Sequence, residues 1–212
     1  MQKTRSAMNP KIIPLPQPDP LENGLTLLLN QRRSVRRLIG RELTANELAT
    51  LLWSAQGATE NGRRTAPSAG EVYPLQLHVA MASGLFRYDS EKHQLERVAD
   101  EDLRVKLADV GLGQSALSDA PAVVIFTAHC DNVDGKYGDN GKRFIHMEMG
   151  HAAQNLQLAA TALGLASVAI GQFFEEGVRD LLSLGKSELL GYLIPVGEPL
   201  QAADEQELGR MN

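Results

Sequence analysis

Leu75-Gln76-Leu77-His78-Val79-Ala80-Met81, then Gly84-Leu85-Phe86-Arg87-Tyr88 and Gln94-Leu95-Glu96-Arg97-Val98, is the stretch that decides the fold class. The first heptapeptide alternates and is rich in apolar residues, which predicts a strand. The next two segments flank Asp89-Ser90-Glu91-Lys92-His93, a polar turn, and together predict a hairpin. Antiparallel pairing in the middle of the chain argues against a doubly wound parallel sheet. Downstream, Ala122 to Ala128 is a continuous apolar run of strand length, which predicts a buried strand. Ser167 to Ile170 and Leu189 to Val196 read as the remaining strands.

Helical signals surround this block. Leu21 to Asn30 places Leu25, Leu28 and Leu29 on one face. Thr44-Ala45-Asn46-Glu47 is a capping box opening a helix with Leu48, Leu51, Leu52 and Ala55, closed at Gly57. Asp100 to Val110 reads as a short helix with Leu103, Leu107 and Val110 inward. Phe144 to Leu163 is the longest helical signal, capped by Gly164, and Glu175 to Leu182 is another. Residues 131–142, rich in glycine and aspartate, read as a loop. Helices first, then strands and helices mixed, predict one α+β domain over residues 21–200. Residues 1–20, with five prolines, read as an extended arm, and 201–212 as a polar tail.

Composition narrows the function. The chain has 212 residues, 43% of them hydrophobic, enough for one sizeable core. A formal net charge of -5 disfavours nucleic-acid binding. A single cysteine, Cys130, excludes a disulfide framework and a CxxC knuckle, and reads as a small buried hydrophobe. No apolar run approaches a membrane span, and Met1 to Pro10 lacks the apolar core of a secretory signal, so the expectation is a soluble cytoplasmic protein.

Several site motifs fail on context. Gly111-Leu112-Gly113-Gln114-Ser115-Ala116 fits G-x-G-x-x-A but follows a helical segment rather than a strand, so it reads as a loop. Glu148 and His151 stand at i, i+3 on the long helix, yet no second Glu-x-x-His accompanies them, so no metal is expected. G-x-S-x-G is absent. What remains is arginine. Arg32-Arg33-Ser34-Val35-Arg36-Arg37 puts four guanidiniums into six residues of an acidic chain, and Arg63-Arg64 precedes Thr65-Ala66-Pro67-Ser68-Ala69-Gly70. Arg32, Ser34 and Arg36 alternate, so an extended segment aims all three one way. Guanidinium forks suit phosphate oxygens, and the small-residue turn admits a flat ring, so a phosphorylated small molecule is the expected ligand.

At these residues the chain resembles the FMN-dependent nitroreductase family, most closely the branch of azoline dehydrogenases that form thiazoles and oxazoles. The resemblance runs from about Ile13 to Pro199. It is carried by Arg32 to Arg36, Glu47 to Gly57, Arg64 to Gly70 with Tyr73-Pro74-Leu75, Gly150 to Leu156, Ala162 to Leu165, Ile170-Gly171-Gln172-Phe173 and Leu193 to Gly197. The resemblance implies a mostly antiparallel or mixed sheet flanked by helices, in an intertwined homodimer with FMN at the interface. It implies that Arg32, Arg33, Ser34 and Arg36 hold the phosphate and the polar ring edge. Pro67, Ser68, Ala69 and Gly70 would reach the flavin from the partner subunit. Gln114 would meet the pyrimidine edge, and Ile170, Gly171 and Gln172 would face flavin N5. The long helix would form the dimer core. Its implied activity is ping-pong hydride transfer from NADH or NADPH to a nitroaromatic or quinone. Alternatives are azoline oxidation, for which Lys136 and Tyr137 are the candidate catalytic pair, and flavin binding without turnover. Two departures stand out: the tail lacks a basic pair that often helps hold phosphate, and no acidic residue occurs at 170–171.

Overall fold

The computed structural model describes residues 24–200, so the arm expected over 1–20 and the tail over 201–212 lie outside the described residues. In chain order the elements are α1 (Leu25–Gln31), β1 (Leu38–Ile39), α2 (Ala45–Gln56), β2 (Leu75–Met81), β3 (Gly84–Asp89) and β4 (Gln94–Ala99). They continue with α3 (Arg104–Val110), α4 (Ala116–Asp119), β5 (Ala122–His129), α5 (Asp131–Tyr137), α6 (Gly141–Ala162), β6 (Ala166–Ser167), α7 (Glu175–Leu182) and β7 (Glu188–Pro199).

The strands form one sheet in the order β1-β7-β5-β2-β3-β4, with β6 also on β7, and every ladder is antiparallel. Strand β5 is its centre, and its composition explains why. Ala122, Val124, Phe126 and Ala128 point into one core, shared with Leu51, Leu52 and Ala55 of α2 and with Ile145, Met149, Ala152 and Leu156 of α6. Val123 and Ile125 point into a second core with Leu107, Leu117, Val178 and Leu182 of α3, α4 and α7. A strand covered on both faces needs an unbroken apolar run, and each fully buried aliphatic side chain contributes roughly 1.5–3 kcal/mol.

The hairpin closes as expected. Asp89 accepts the backbone N–H groups of Glu91 and Lys92, and Arg87 faces Glu96 across the strands at 2.6 Å. At the start of α2 both halves of the capping box form: Glu47 N–H donates to Thr44 Oγ1 and Thr44 N–H to the Glu47 carboxylate. Helix α6 begins three residues earlier than predicted and ends at Ala162, one residue short of the predicted end, with left-handed Gly164 (φ 72°) turning the chain just after it.

The loop expected over 131–142 is instead helical. Asp131 and Asp134 lie in the first turn of α5, where carboxylates complement the helix dipole. Val133 is buried, and the Tyr137 ring meets Phe144 of α6 edge to face at 4.9 Å. Those tertiary contacts override a composition that disfavours helix. The strand expected over 167–170 is shorter than predicted: only Ala166–Ser167 joins a ladder, while Ile170 makes an isolated bridge to Leu193. Among the described residues no helix is long and apolar enough to cross a membrane.

Candidate functional site

The arginine segment lies beside the chain that follows β6. Val35 N–H donates to the Ser167 carbonyl at 3.0 Å, and Ser34 pairs with Ser167 in a parallel bridge. Ile170 exchanges backbone hydrogen bonds with Leu193 of β7 at 3.0 and 2.9 Å. Segments 130 residues apart in sequence are thereby fixed side by side, so Arg36 and residues 168–172 share the wall of one cavity of about 360 Å³.

Gln114 enters the same cavity from the turn after α3. Leu112 and Gly113 both adopt left-handed conformations, φ 62° and 72°, which reverse the chain there. The Gln114 amide nitrogen donates to the carbonyls of Gly111 (2.8 Å) and Gln172 (3.3 Å), which orients its carbonyl oxygen and ties the turn to residues 170–172. Neither Gly171 nor Gln172 donates its backbone N–H to a partner among the described residues. Two free amide donors, a guanidinium and an oriented carboxamide suit a planar, polar-edged ligand. A second cavity of about 400 Å³, lined by His146, Met149, Phe173 and Tyr192, adjoins the first through Gly171.

The other arginines of the segment differ in their engagement. Arg32 Nη1 reaches Gln157 of α6 at 3.4 Å, leaving most of its donor fork open. Arg33 folds back onto the carbonyls of Asn30 (2.5 Å) and Arg32 (2.8 Å), closing the end of α1. Arg63 pairs with Glu71 at 3.3 Å, and Arg64 with Glu91 at 2.5 Å while lying over the Tyr73 ring. Arg63 is thus a surface partner of Glu71, while Arg64 is largely buried, with its Nη1 unpartnered among the described residues, and neither lines the cavity that holds Arg36.

Residues 67–70 form a separate group. Ser68 Oγ accepts the Tyr73 N–H at 2.9 Å, and Gly70 adopts φ 59°. Lys136 Nζ donates to the Gly70 carbonyl at 3.0 Å. A β-carbon on Gly70 would meet Lys136 Nζ and the Tyr137 hydroxyl, so a larger residue there must push those two side chains aside as well as adopt a left-handed backbone. Pro67, Ser68, Ala69, Gly70, Lys136 and Tyr137 are therefore one cluster. It lies on the Glu148–Asn155 face of α6, where Asn155 Nδ2 donates to the Thr65 carbonyl. Gln157, which meets Arg32, is nine residues beyond Glu148, a rotation of roughly 180° around the helix axis. Arg32 and the Pro67–Gly70 cluster therefore touch α6 on opposite sides of the helix, and residues 67–70 line none of the cavity that holds Arg36.

Among the described residues no group of histidine, cysteine and carboxylate side chains could hold a metal. Cys130 is buried, and burial pushes its thiol up. Glu148 is buried, accepts a hydrogen bond from Gln56 Nε2 at 3.1 Å, and has its carboxyl raised above the ordinary range by burial. Sequence reasoning missed His146, Met149, Phe173 and Tyr192 as cavity residues. Phe173 belongs to the quoted Ile170–Phe173 stretch, which could have flagged it; nothing in the other three pointed to a cavity.

The nitroreductase family model matches residues 29–198, from the end of α1 through β7. A protein of Methanocaldococcus jannaschii named for the same family is 39% identical over 191 residues, which is 87% of this chain and 96% of the relative. A solved nitroreductase-family structure from Ralstonia eutropha JMP134 superimposes with a TM-score of 0.77 at 27% identity, covering 88% of this chain and 89% of that one. A chain of the Escherichia coli microcin synthetase McbBCD complex, solved with truncated pro-MccB17 bound, shares the fold at a TM-score of 0.73. The coverage there is 91% of this chain and 79% of that one, at 19% identity. The matched segment includes the arginine strand, the Pro67–Gly70 turn and the residues opposite Leu193, and on that footing the chain belongs to the nitroreductase family of oxidoreductases.

Proposed function

We propose that this oxidoreductase uses FMN, takes hydride from NADH or NADPH, and delivers it to a small organic acceptor of the nitroaromatic or quinone type. The observation that carries the reading is the shared cavity of Arg36, Gln114 and residues 168–172, with unengaged N–H groups at Gly171 and Gln172. Those groups fit FMN. Arg32 and Ser34 would take its phosphate, Arg36 and Gln114 the pyrimidine edge, and the Gly171 and Gln172 amides the N5 side. Bound there, FMN supplies reversible two-electron hydride chemistry. Arg36 would stabilise negative charge on the pyrimidine edge, and the amides would orient the ring without offering a competing nucleophile. Donor and acceptor would use the same open face in turn, which gives ping-pong kinetics.

The Pro67–Gly70 turn lines none of the cavity that holds Arg36, which fits a homodimer in which that turn meets the cofactor of a second copy. The protein would work in the cytoplasm. The test is the visible spectrum of the purified protein, then bleaching by NADH or NADPH without oxygen and recovery with menadione. A colourless protein that takes up no FMN overturns the reading. Bound FMN that neither dinucleotide reduces leaves only a binding role.

The Lys136–Gly70 hydrogen bond favours a second reading. It puts Lys136 and Tyr137 on the turn that would meet the partner's cofactor, where either could take a ring proton as a thiazoline or oxazoline loses hydride. Formation of a thiazole from a thiazoline peptide, abolished in K136A and Y137F, would establish that activity. No product with any azoline peptide would remove it.

A further inference from the structure

The cavity of about 400 Å³ beyond Gly171 has no occupant assigned so far, and its lining is distinctive. It meets the Arg36–Gln114 cavity at Gly171, the residue whose N–H is read above as facing N5. Phe173, Met149 of α6 and Tyr192 of β7 form aromatic and thioether walls. The Tyr192 ring is held edge to face against Phe126 at 6.5 Å. It passes so close to Gly171 that a β-carbon there would touch it at 3.5 Å, and a longer side chain at 171 would fill the junction of the two cavities. Such walls suit a flat ring, through stacking and sulfur contacts. His146, one turn before Met149 on α6, brings a transferable proton to them. It is exposed and has neither a hydrogen-bond nor an ion-pair partner among the described residues. Glu175 of α7 lines the same cavity but is paired with Arg179 at 3.6 Å.

We propose that this cavity holds the acceptor, an aromatic or quinonoid ring bearing an oxygen, and that His146 is the catalytic acid that protonates that oxygen. The inference rests on the flavin reading above and deepens it by naming the acceptor's subsite and its proton source. For a quinone the balance is simple. The reduced dinucleotide supplies, by way of FMN, one hydride with its two electrons. Addition of that hydride to one carbonyl oxygen forms an O–H bond, makes the ring aromatic and leaves the other oxygen negative. The imidazolium N–H bond of His146 then breaks, and its proton forms the second O–H. The dinucleotide is oxidised and the quinone reduced to the quinol. Neutral His146 regains a proton from water, to which it is open. Histidine suits the task because imidazole exchanges protons near neutral pH, whereas a phenol such as that of Tyr192 is a far weaker acid. An imidazolium also attracts an oxygen that gains charge, so the contact strengthens as hydride arrives.

The experiment uses the full chain supplied with FMN and the variants H146A and H146Q. His146 is exposed, so both variants should fold, which circular dichroism checks. The first readout is binding without turnover: equilibrium dialysis of the oxidised protein against 4-cyanophenol, a ring with one acidic oxygen, and against benzonitrile, the same ring without it. In H146A 4-cyanophenol binds roughly tenfold more weakly, the worth of one hydrogen bond to a charged group, while benzonitrile binds as before. The second readout is reoxidation of the reduced protein by saturating menadione in a single turnover. It slows about a hundredfold in H146A, the scale of general acid catalysis, and added imidazole restores part of the rate. H146Q keeps a hydrogen-bond donor and so keeps most of the 4-cyanophenol binding, but it has no acid and stays slow. Equal binding of 4-cyanophenol by wild type and H146A would overturn the subsite and leave the flavin reading standing. Unchanged reoxidation in H146A, or a wild-type rate in H146Q, would overturn the acid role. His146-dependent binding of 4-cyanophenol by a protein that takes up no FMN would overturn both the proton transfer and the flavin reading.

Discussion

Acid sensitivity of this fold is expected to originate largely at His78. This residue lies in the middle of β2, opposite Arg87 of β3 and Ile125 of β5, on the face that packs against α7. It is 7% exposed, and neither ring nitrogen has a partner among the described residues. Burial lowers its pKa to about 4; Arg87 and His129 push the same way, and Glu188 opposes them. An unfolded histidine titrates near 6.5, so between pH 6.5 and 4 the unfolded chain binds a proton that the folded chain refuses. Stability from this group is therefore complete above pH 6.5 and is lost as pH falls toward 4. With those two values the loss is about 2 kcal/mol at pH 5 and about 3 kcal/mol below pH 4. His78→Leu removes the titration and the two unpaired nitrogens together. Urea denaturation of wild type and H78L at pH 7.5 and pH 5 tests this. The wild type should lose about 2 kcal/mol more than the variant between the two conditions. Equal losses in both proteins would refute the assignment, since every other titrating group is common to them.

Three further outcomes are expected. Arg36→Ala should weaken FMN binding roughly tenfold or more, the worth of one charged hydrogen bond, with unchanged circular dichroism; full flavin occupancy at low micromolar FMN would remove Arg36 from the site. Thr44→Ala should cost about 1 kcal/mol in chemical denaturation, because the capping box at the start of α2 loses its side-chain acceptor. In Gly191→Ala the added carbon would lie 2.3 Å from Met149 Sδ, so β7 and α6 must part or Met149 must swing away. A loss of about 1–3 kcal/mol is expected, read as a lower melting temperature.

The sheet was legible because its order follows from patterns a few residues long. The unbroken run at Ala122–Ala128 implies cover on both faces, and the two cores supply it. The hairpin and the α2 cap are local chemistry, so they formed where they were read. Helix α5 was not legible: Asp131-Asn132-Val133-Asp134-Gly135 has loop composition, and what holds it helical is a buried Val133 and the Tyr137–Phe144 contact. Likewise Gln114 could be suggested only by resemblance, since its aim depends on two successive left-handed residues, Leu112 and Gly113.

What the sequence could least express is the difference between its two basic stretches. Arg32-to-Arg36 and Arg63-to-Gly70 look alike on paper, two basic stretches beside small residues. In three dimensions Arg63 pairs with Glu71 and Arg64 with Glu91, while the Ser68–Tyr73 and Lys136–Gly70 hydrogen bonds hold the turn after them. Arg32 instead lies against Gln157 of α6, and Arg36 lines the cavity with residues 168–172. Within one chain the turn lines none of that cavity. On the proposed flavin reading, the turn would contribute to the site from a second copy. FMN affinity should then fall on dilution below the dimer dissociation constant, and a protein that stays monomeric yet binds FMN at full affinity, with no effect of S68A, would sever the turn from the site.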